Sequence, residues 1–197
     1  MCWTQFLKRH WEALAATDFF TVEVATWHGL VTYDVLVVME LATRRVEIAG
    51  ITPHPTAAFM VQCARQLTDP LKGFLLGKRY LLHKRDTKYT RAFDAFLKDS
   101  GIEPVLLPPR SPNLNAYCER FVRSIKEEAL EQMLMLGERF LYHVIRQYLA
   151  HYHTERNHQG LGNQLITPEP ERSDQGGAVV RRDRLGGLLC YYYRDAA

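Results

Sequence analysis

An almost unbroken apolar run is the feature of this 197-residue chain that most restricts its fold. The run lies between residues 30 and 41 and is purest at Val35, Leu36, Val37, Val38 and Met39. A strand with one face in water alternates apolar and polar residues, whereas a strand covered on both faces is apolar throughout. The run therefore predicts an interior strand of a sheet with a layer on each side.

Other strands and helices are predicted around this run. Strand-like residues follow Asp18 up to Val24, and a third strand is predicted from Val46 to Ile51, so that short links favour an antiparallel meander. Helices capped by Thr56 and Thr90 then alternate with strands at 80–83 and 105–107, an order that implies parallel neighbours. The expected fold class is α/β, of the ribonuclease H-like type: a mixed five-stranded sheet, an antiparallel meander plus parallel strands, flanked by helices.

The remaining periodic segments set the expected domain organisation. Amphipathic patterns predict helices over residues 114–134 and 140–152. A lead-in helix is expected within residues 1–17, the core over 18–167, and a linker with a short C-terminal extension over 168–197.

Composition excludes some classes of protein and leaves others open. A formal charge of +3 permits a nucleic-acid partner without indicating one. The four cysteines are scattered and form no Cys-x-x-Cys pair, which favours reduced thiols. No apolar run approaches the roughly 20 residues that span a bilayer, and the N-terminus lacks a signal-peptide layout. We therefore expect a soluble, cytoplasmic protein without a membrane partner.

Two acidic residues stand out as candidates for chemistry. Asp18 borders the apolar run of the first strand, where a carboxylate is costly unless it is paired or binds a metal; the alternative is a solvated strand start. Glu119 lies on the polar face of a helix, where the alternative is a surface pair with Arg123. Carboxylates brought together at one sheet edge suit Mg²⁺ or Mn²⁺, and two such ions support in-line phosphoryl displacement.

Five segments, in this order along the chain, resemble a known family. They are residues 16–20, 41–45, 85–90, 111–121 and 151–161. Through them the chain resembles the integrase core of bacterial insertion-sequence transposases, a group akin to retroviral integrases. The resemblance implies an integrase catalytic core that performs metal-dependent DNA strand cleavage and transfer in transposition. It also implies Asp18 and Glu119 as first and third acids, two Mg²⁺ or Mn²⁺ ions, transposon ends and target DNA as partners, and a homo-oligomer on DNA.

The second acid of the family pattern falls on Lys84, whether it is counted from Thr90 or from Glu119. Asp86 is the nearest carboxylate and completes the predicted catalytic and metal-binding set with Asp18 and Glu119. Residues two apart on a strand share a face but are separated by about 6.6 Å, so Asp86 requires a local rearrangement to serve. Either Lys84 neutralises Asp18 and Glu119 in place of a cation, which we favour, or Lys84 extends to solvent and Asp86 acts as the ligand.

Basic residues near the acids are predicted to contact DNA phosphates. They are Lys88, Arg110, Arg120, Arg123 and Lys126. The alternative for each is ordinary solvated surface charge.

The departure at Lys84 leaves several functions open. Only 17 residues precede Asp18, whereas the resemblance implies a helix-turn-helix segment ahead of the core, so either another chain supplies that segment or the protein is a truncated product. The expected function is a transposase core, either active or inactivated. The alternatives are a non-catalytic DNA-binding or oligomerisation remnant and a stand-alone nuclease of the same fold.

Overall fold

The computed structural model describes residues 3–107, 115–168 and 177–194. Its helices are α1 (Trp3–His10), α2 (Ala57–Leu67), α3 (Arg91–Asp99), α4 (Ala116–Glu128) and α5 (Glu138–Thr154). Its strands are β1 (Leu14–Thr26), β2 (Gly29–Glu40), β3 (Val46–Thr52), β4 (Tyr80–His83), β5 (Glu103–Leu106), β6 (Val179–Arg184) and β7 (Leu189–Arg194). Within these ranges, no helix combines the length and the apolar character needed to cross a bilayer.

The described residues form two compact units. The first lies within Met1–Glu23 and Val31–Val122, and the second within Val24–Leu30 and Arg123–Ala197. The boundaries pass through β1, β2 and α4, so these elements contribute to both units.

The first unit is built on a five-stranded sheet with the strand order β3-β2-β1-β4-β5. Strands β2 and β3 are antiparallel, whereas β4 pairs in parallel with both β1 and β5. The mixed sheet flanked by helices confirms the predicted fold class. Strand β2 is an interior strand, and the side chains from Val35 to Met39 are fully buried, as their unbroken apolar run predicts.

Helices α2 and α3 cover a hydrophobic core of the first unit. The Thr56 and Thr90 side chains accept the backbone N–H groups of Phe59 and Phe93, so both predicted N-caps are confirmed. The core cluster combines residues from the sheet, α2 and α3, among them Leu36, Val38, Leu81, Met60, Leu67, Phe93 and Leu97. Burial of these apolar side chains, at about 25 cal/mol per Å², holds the two helices on the sheet.

Several element boundaries differ from those expected from the sequence. Strand β1 begins at Leu14, before the predicted start, because Ala15 and Ala16 pair with Leu81 and Leu82 of β4. Helix α4 ends at Glu128, and a 3₁₀ turn (Leu130–Gln132) replaces the rest of the helix predicted to residue 134. Strand β5 includes Pro104, which lacks an N–H but is tolerated because β5 is an edge strand.

The second unit contains α5 and an antiparallel hairpin of β6 and β7. The buried face of α5 consists of Leu141, Val144, Ile145, Tyr148 and Tyr152. Immediately after α5, the Glu155 side chain is only 1% exposed.

Glu155 joins α5 to the hairpin through an ionic network. Arg184 donates from Nε at 2.9 Å and from Nη2 at 2.7 Å, and Arg182 donates from Nη1 at 3.3 Å. The His151 Nδ1 atom lies 3.0 Å from Glu155 Oε2. Burial alone raises the pKa of Glu155, but the hydrogen bonds from Arg184 and His151 outweigh it and lower the pKa to about 2.

Candidate functional site

The register between two parallel strands places residue 84 beside Asp18. Ala16 is paired with Leu82, so two residues further along the strands Asp18 is level with Lys84. Neighbouring strands are about 4.8 Å apart, a separation that the Lys84 side chain bridges. The Lys84 Nζ atom donates a hydrogen bond to Asp18 Oδ2 at 2.9 Å.

Asp18 lies inside a buried strand. Its burial, at 7% exposure, follows from the start of β1 at Leu14. The backbone N–H of Phe19 donates to Asp18 Oδ1 at 2.9 Å. Both carboxylate oxygens therefore have a partner, Phe19 for one and Lys84 for the other.

Glu119 contacts the same ammonium from the first turn of α4. Its Oε1 atom is 2.8 Å from Lys84 Nζ, and the Glu119 side chain is 36% exposed. A carboxylate in the first turn of a helix also interacts favourably with the helix dipole. Glu119 thus pairs with Lys84, and within the described ranges no ion pair joins it to Arg123.

The start of α4 is fixed to the sheet by neighbouring contacts. The Asn115 side-chain amide donates to the Thr17 carbonyl at 3.4 Å, next to Asp18. The Arg44 guanidinium lies 3.4 Å from the centroid of the Tyr117 ring. These contacts hold the first turn of α4, and so Glu119, near the end of β4.

The backbone on both sides of Lys84 is also restrained. The buried His83 ring is hydrogen-bonded through Nδ1 to the Lys84 carbonyl at 3.0 Å. The Leu107 N–H donates to the His83 carbonyl at 3.0 Å. The ring of His83 packs against Tyr89, with centroids 4.5 Å apart. These contacts therefore fix the backbone at residue 84, just beyond the end of β4.

Burial and the neighbouring charges shift the pKa values of Lys84 and Asp18. Burial lowers the pKa of Lys84, but the hydrogen bonds and charges of Glu119 and Asp18 outweigh it, so the pKa is raised. Burial raises the pKa of Asp18 by more than the Lys84 hydrogen bond and charge lower it. The two directions are compatible because Asp18 is buried whereas the Lys84 side chain is 42% exposed. The ammonium is thus stabilised in its charged form between two carboxylates.

Asp86, the third member of the predicted acid set, is not brought to this cluster. Strand β4 ends at His83, and a turn follows in which the Tyr89 N–H donates to the Asp86 carbonyl at 3.1 Å. The Asp86 carboxylate accepts the backbone N–H of Lys88 at 3.0 Å. Among the described residues, Asp18, Asp86 and Glu119 do not form a group of side chains that could hold a metal ion.

The five predicted DNA contacts lie in different settings. Lys88 donates from Nζ to Asp34 Oδ1 at 2.7 Å, so its charge is already paired. Arg120 and Arg123 are exposed on α4, and Lys126 is half-buried on the same helix. Arg110 lies outside the described residues.

Sequence reasoning did not single out Asp34 or Asn115. Both are buried polar residues, at 8% and 2% exposure. Asp34 carried the same signal as Asp18, a carboxylate at the edge of an apolar strand. Asn115 carried no such signal, because its role depends on a carbonyl 98 residues away in sequence.

As arranged, the residues do not fit a divalent metal ion. A Mg²⁺ site takes oxygen ligands at about 2.0–2.1 Å, and the space between Asp18 and Glu119 holds the Lys84 ammonium. Among the described residues, no group of three or more His, Cys, Asp or Glu side chains is placed to hold a metal.

Comparisons with known proteins agree with this fold. Residues 100–168 match the family model of the integrase core domain. A protein of insertion element IS476 from Xanthomonas euvesicatoria, itself uncharacterized, is 33% identical over 73 residues, which is 37% of this chain and 21% of that protein. The match therefore spans about a fifth of the length of that relative.

Two solved structures of viral integrase cores are also similar. The HTLV-2 integrase catalytic core, in complex with magnesium and in dimeric form, superposes with a TM-score of 0.54 at 14% identity, covering 72% of this chain and 86% of that one. The catalytic core of BIV integrase gives a TM-score of 0.44 at 20% identity, over 59% and 68% of the two chains. The match to the HTLV-2 core shows a shared fold. The resemblance found in the five sequence segments is thus confirmed: residues 100–168 match the integrase core domain, and the chain is similar in sequence to an insertion-element protein and in fold to a retroviral integrase core.

Proposed function

We propose that this chain acts in DNA transposition as a transposase-type integrase core that binds DNA and, in this form, does not cut it. The observation that carries the proposal is the Lys84 ammonium, bonded to both Asp18 and Glu119 just beyond the end of β4 in an integrase-type fold. Asp18, Lys84 and Glu119 together bear one net negative charge. Without metal ions, such a site does not attract the phosphate on which strand cleavage takes place.

The proposed partners are transposon ends and target DNA. Arg120 and Arg123 are exposed, and no ion pair engages either of them, or Lys126, within the described ranges. Basic side chains free of acidic partners are available for phosphate contacts, which are independent of base sequence. Lys88 is a poorer candidate because Asp34 already neutralises it.

Metal dependence and assembly come from the resemblance. A core with three acids would hold two Mg²⁺ or Mn²⁺ ions, which activate the attacking oxygen and stabilise the leaving one. Because Lys84 stands at the second acid, we derive no such step for this chain. We propose a homo-oligomer on DNA, a cytoplasmic location, and the layout of lead-in helix 1–17, integrase core 18–167 and extension 168–197.

Removing two basic residues of α4 is expected to weaken DNA binding and its salt dependence. In an Arg123→Ala/Lys126→Ala variant, the slope of log affinity against log salt should decrease in magnitude by about 2, since each phosphate contact contributes about 0.9. The measurement is fluorescence anisotropy with duplex DNA from about 50 to 200 mM salt.

The matched control is Lys98→Ala, which removes an exposed lysine of α3 that pairs only at 3.8 Å, with Glu103. Its slope should equal that of the wild type. An unchanged slope in the double variant would remove α4 from the DNA surface, and a wild type without measurable DNA binding would refute the proposed function.

A further inference from the structure

The strongest remaining feature is the Lys84 ammonium, which lies between Asp18 and Glu119, the two acids that the resemblance assigns to metal binding. We infer that Lys84 is a built-in cation, which makes the acid cluster of this core independent of divalent metal ions and closed to them. The inference concerns the site of the proposed function, but it rests on geometry within the protein alone. Its test uses no DNA, so its failure is distinguishable from failure of the proposed function.

The first argument is occupancy. An ammonium has three N–H donors, and Lys84 directs two of them to Asp18 Oδ2 at 2.9 Å and Glu119 Oε1 at 2.8 Å. A divalent ion shared by the same two oxygens would lie within the volume that Nζ fills. Metal binding at this point therefore requires Lys84 to leave both carboxylates.

The second argument is the number of available ligands. The remaining oxygen of Asp18 accepts the Phe19 N–H, and residue 84 supplies an ammonium where a third carboxylate would stand. The Asp86 carboxylate is bonded to the Lys88 N–H in the turn after β4. Even with Lys84 displaced, a metal would meet two carboxylates and a nearby positive charge.

The third argument is that Lys84 is held in this position. Its backbone is restrained by the His83 ring and by the pairing of β4 with β1 and β5. The strand register places its side chain level with Asp18. A flexible surface lysine samples many rotamers, whereas this one makes two short charge-assisted hydrogen bonds from a fixed strand end.

Thermal unfolding with and without Mn²⁺ tests the inference. The wild type should unfold at the same Tm at all Mn²⁺ concentrations. Lys84→Asp should gain an increase in Tm of about 5 °C or more when Mn²⁺ reaches about 100 times its Kd. Lys84→Met leaves the acid pair without a cation and should show a smaller increase in Tm with Mn²⁺. This variant provides the test if Lys84→Asp fails to fold.

A matched control and two outcomes complete the test. Lys98→Asp makes the same charge change on the exposed surface of α3 and should behave like the wild type. A wild-type Tm that rises with Mn²⁺, and no longer rises in Asp18→Asn, would overturn the inference. So would a folded Lys84→Asp or Lys84→Met protein that gains no response to Mn²⁺.

Discussion

Replacing Lys84 with aspartate is expected to raise Mn²⁺-dependent nicking of supercoiled DNA by at least about a hundredfold over the wild type. The substitution removes the ammonium between Asp18 and Glu119 and puts a carboxylate at the position level with Asp18. Metal ions at a phosphoryl-transfer site contribute several kcal/mol of transition-state stabilisation, and each 1.36 kcal/mol is a factor of ten in rate. Conversion of supercoiled to open-circular plasmid, followed over time, provides the measurement.

Two further variants test which residue, 84 or Asp86, supplies the second metal-binding carboxylate. Lys98→Asp carries the same charge change away from the site and should remain as inactive as the wild type. Asp86→Asn should leave the activity of Lys84→Asp unchanged, because Asp86 is engaged with the Lys88 backbone. Equal nicking by wild type and Lys84→Asp, abolished in both by Asp86→Asn, would show instead that Asp86 is the missing ligand.

Replacing Glu155 with glutamine is expected to reduce the free energy of unfolding by about 3 kcal/mol, the lower end of the range for breaking a buried ion pair. Glu155 is the shared partner of Arg182 and Arg184, and the Arg184 side chain is 19% exposed. Without the carboxylate, a largely buried guanidinium has no counter-charge. Urea unfolding followed by circular dichroism measures the change.

The same hairpin offers a matched control for Glu155. Arg181 and Asp183 form an ion pair at 2.6 Å, but both side chains are about half exposed. Exposed pairs contribute roughly 0–1 kcal/mol, so Asp183→Asn should leave the unfolding midpoint nearly unchanged. Equal losses in Asp183→Asn and Glu155→Gln would contradict the role assigned to the buried network.

The loss of stability in Glu155→Gln should depend on pH, and the pKa of Glu155 gives the direction. The pKa of Glu155 is lowered from 4.5 to about 2 in the folded protein, so the folded state favours the ionised form. Its contribution to stability is complete above pH 4.5 and is lost as pH falls through about 2. The difference in stability between wild type and Glu155→Gln should therefore be constant near neutral pH and shrink between about pH 4.5 and pH 2.

Local signals predicted most of the fold of the first unit. The buried run from Val35 to Met39 and the capping residues Thr56 and Thr90 act over a few residues, so their effects can be read from the sequence. The start of β1 could not, since Leu14 is held in the strand by distant parts of the chain, through its parallel pairing with Tyr80 and the hydrogen bond that its carbonyl accepts from the Leu41 N–H. That pairing also decides that Asp18 is buried and level with Lys84.

The candidate site was also predictable only in part, because several of its contacts join residues far apart in sequence. Asp18 and Glu119 carried recognisable patterns, and the ammonium between them was the favoured alternative. Whether Asp86 could serve as the second acid depended on the path of the chain after β4, and the chain turns there after His83. The pair of Lys88 and Asp34 joins residues 54 positions apart, and no local pattern distinguishes a lysine so paired from one free to meet DNA.

The most direct test of Lys84 as the resident cation is a crystal of the wild-type protein soaked in Mn²⁺ and measured with anomalous scattering. We predict that Lys84 Nζ remains within hydrogen-bond distance of Asp18 Oδ2 and Glu119 Oε1, with no anomalous peak between the two carboxylates. An anomalous peak at about 2.0–2.2 Å from oxygens of both Asp18 and Glu119, with Lys84 displaced, would contradict the account.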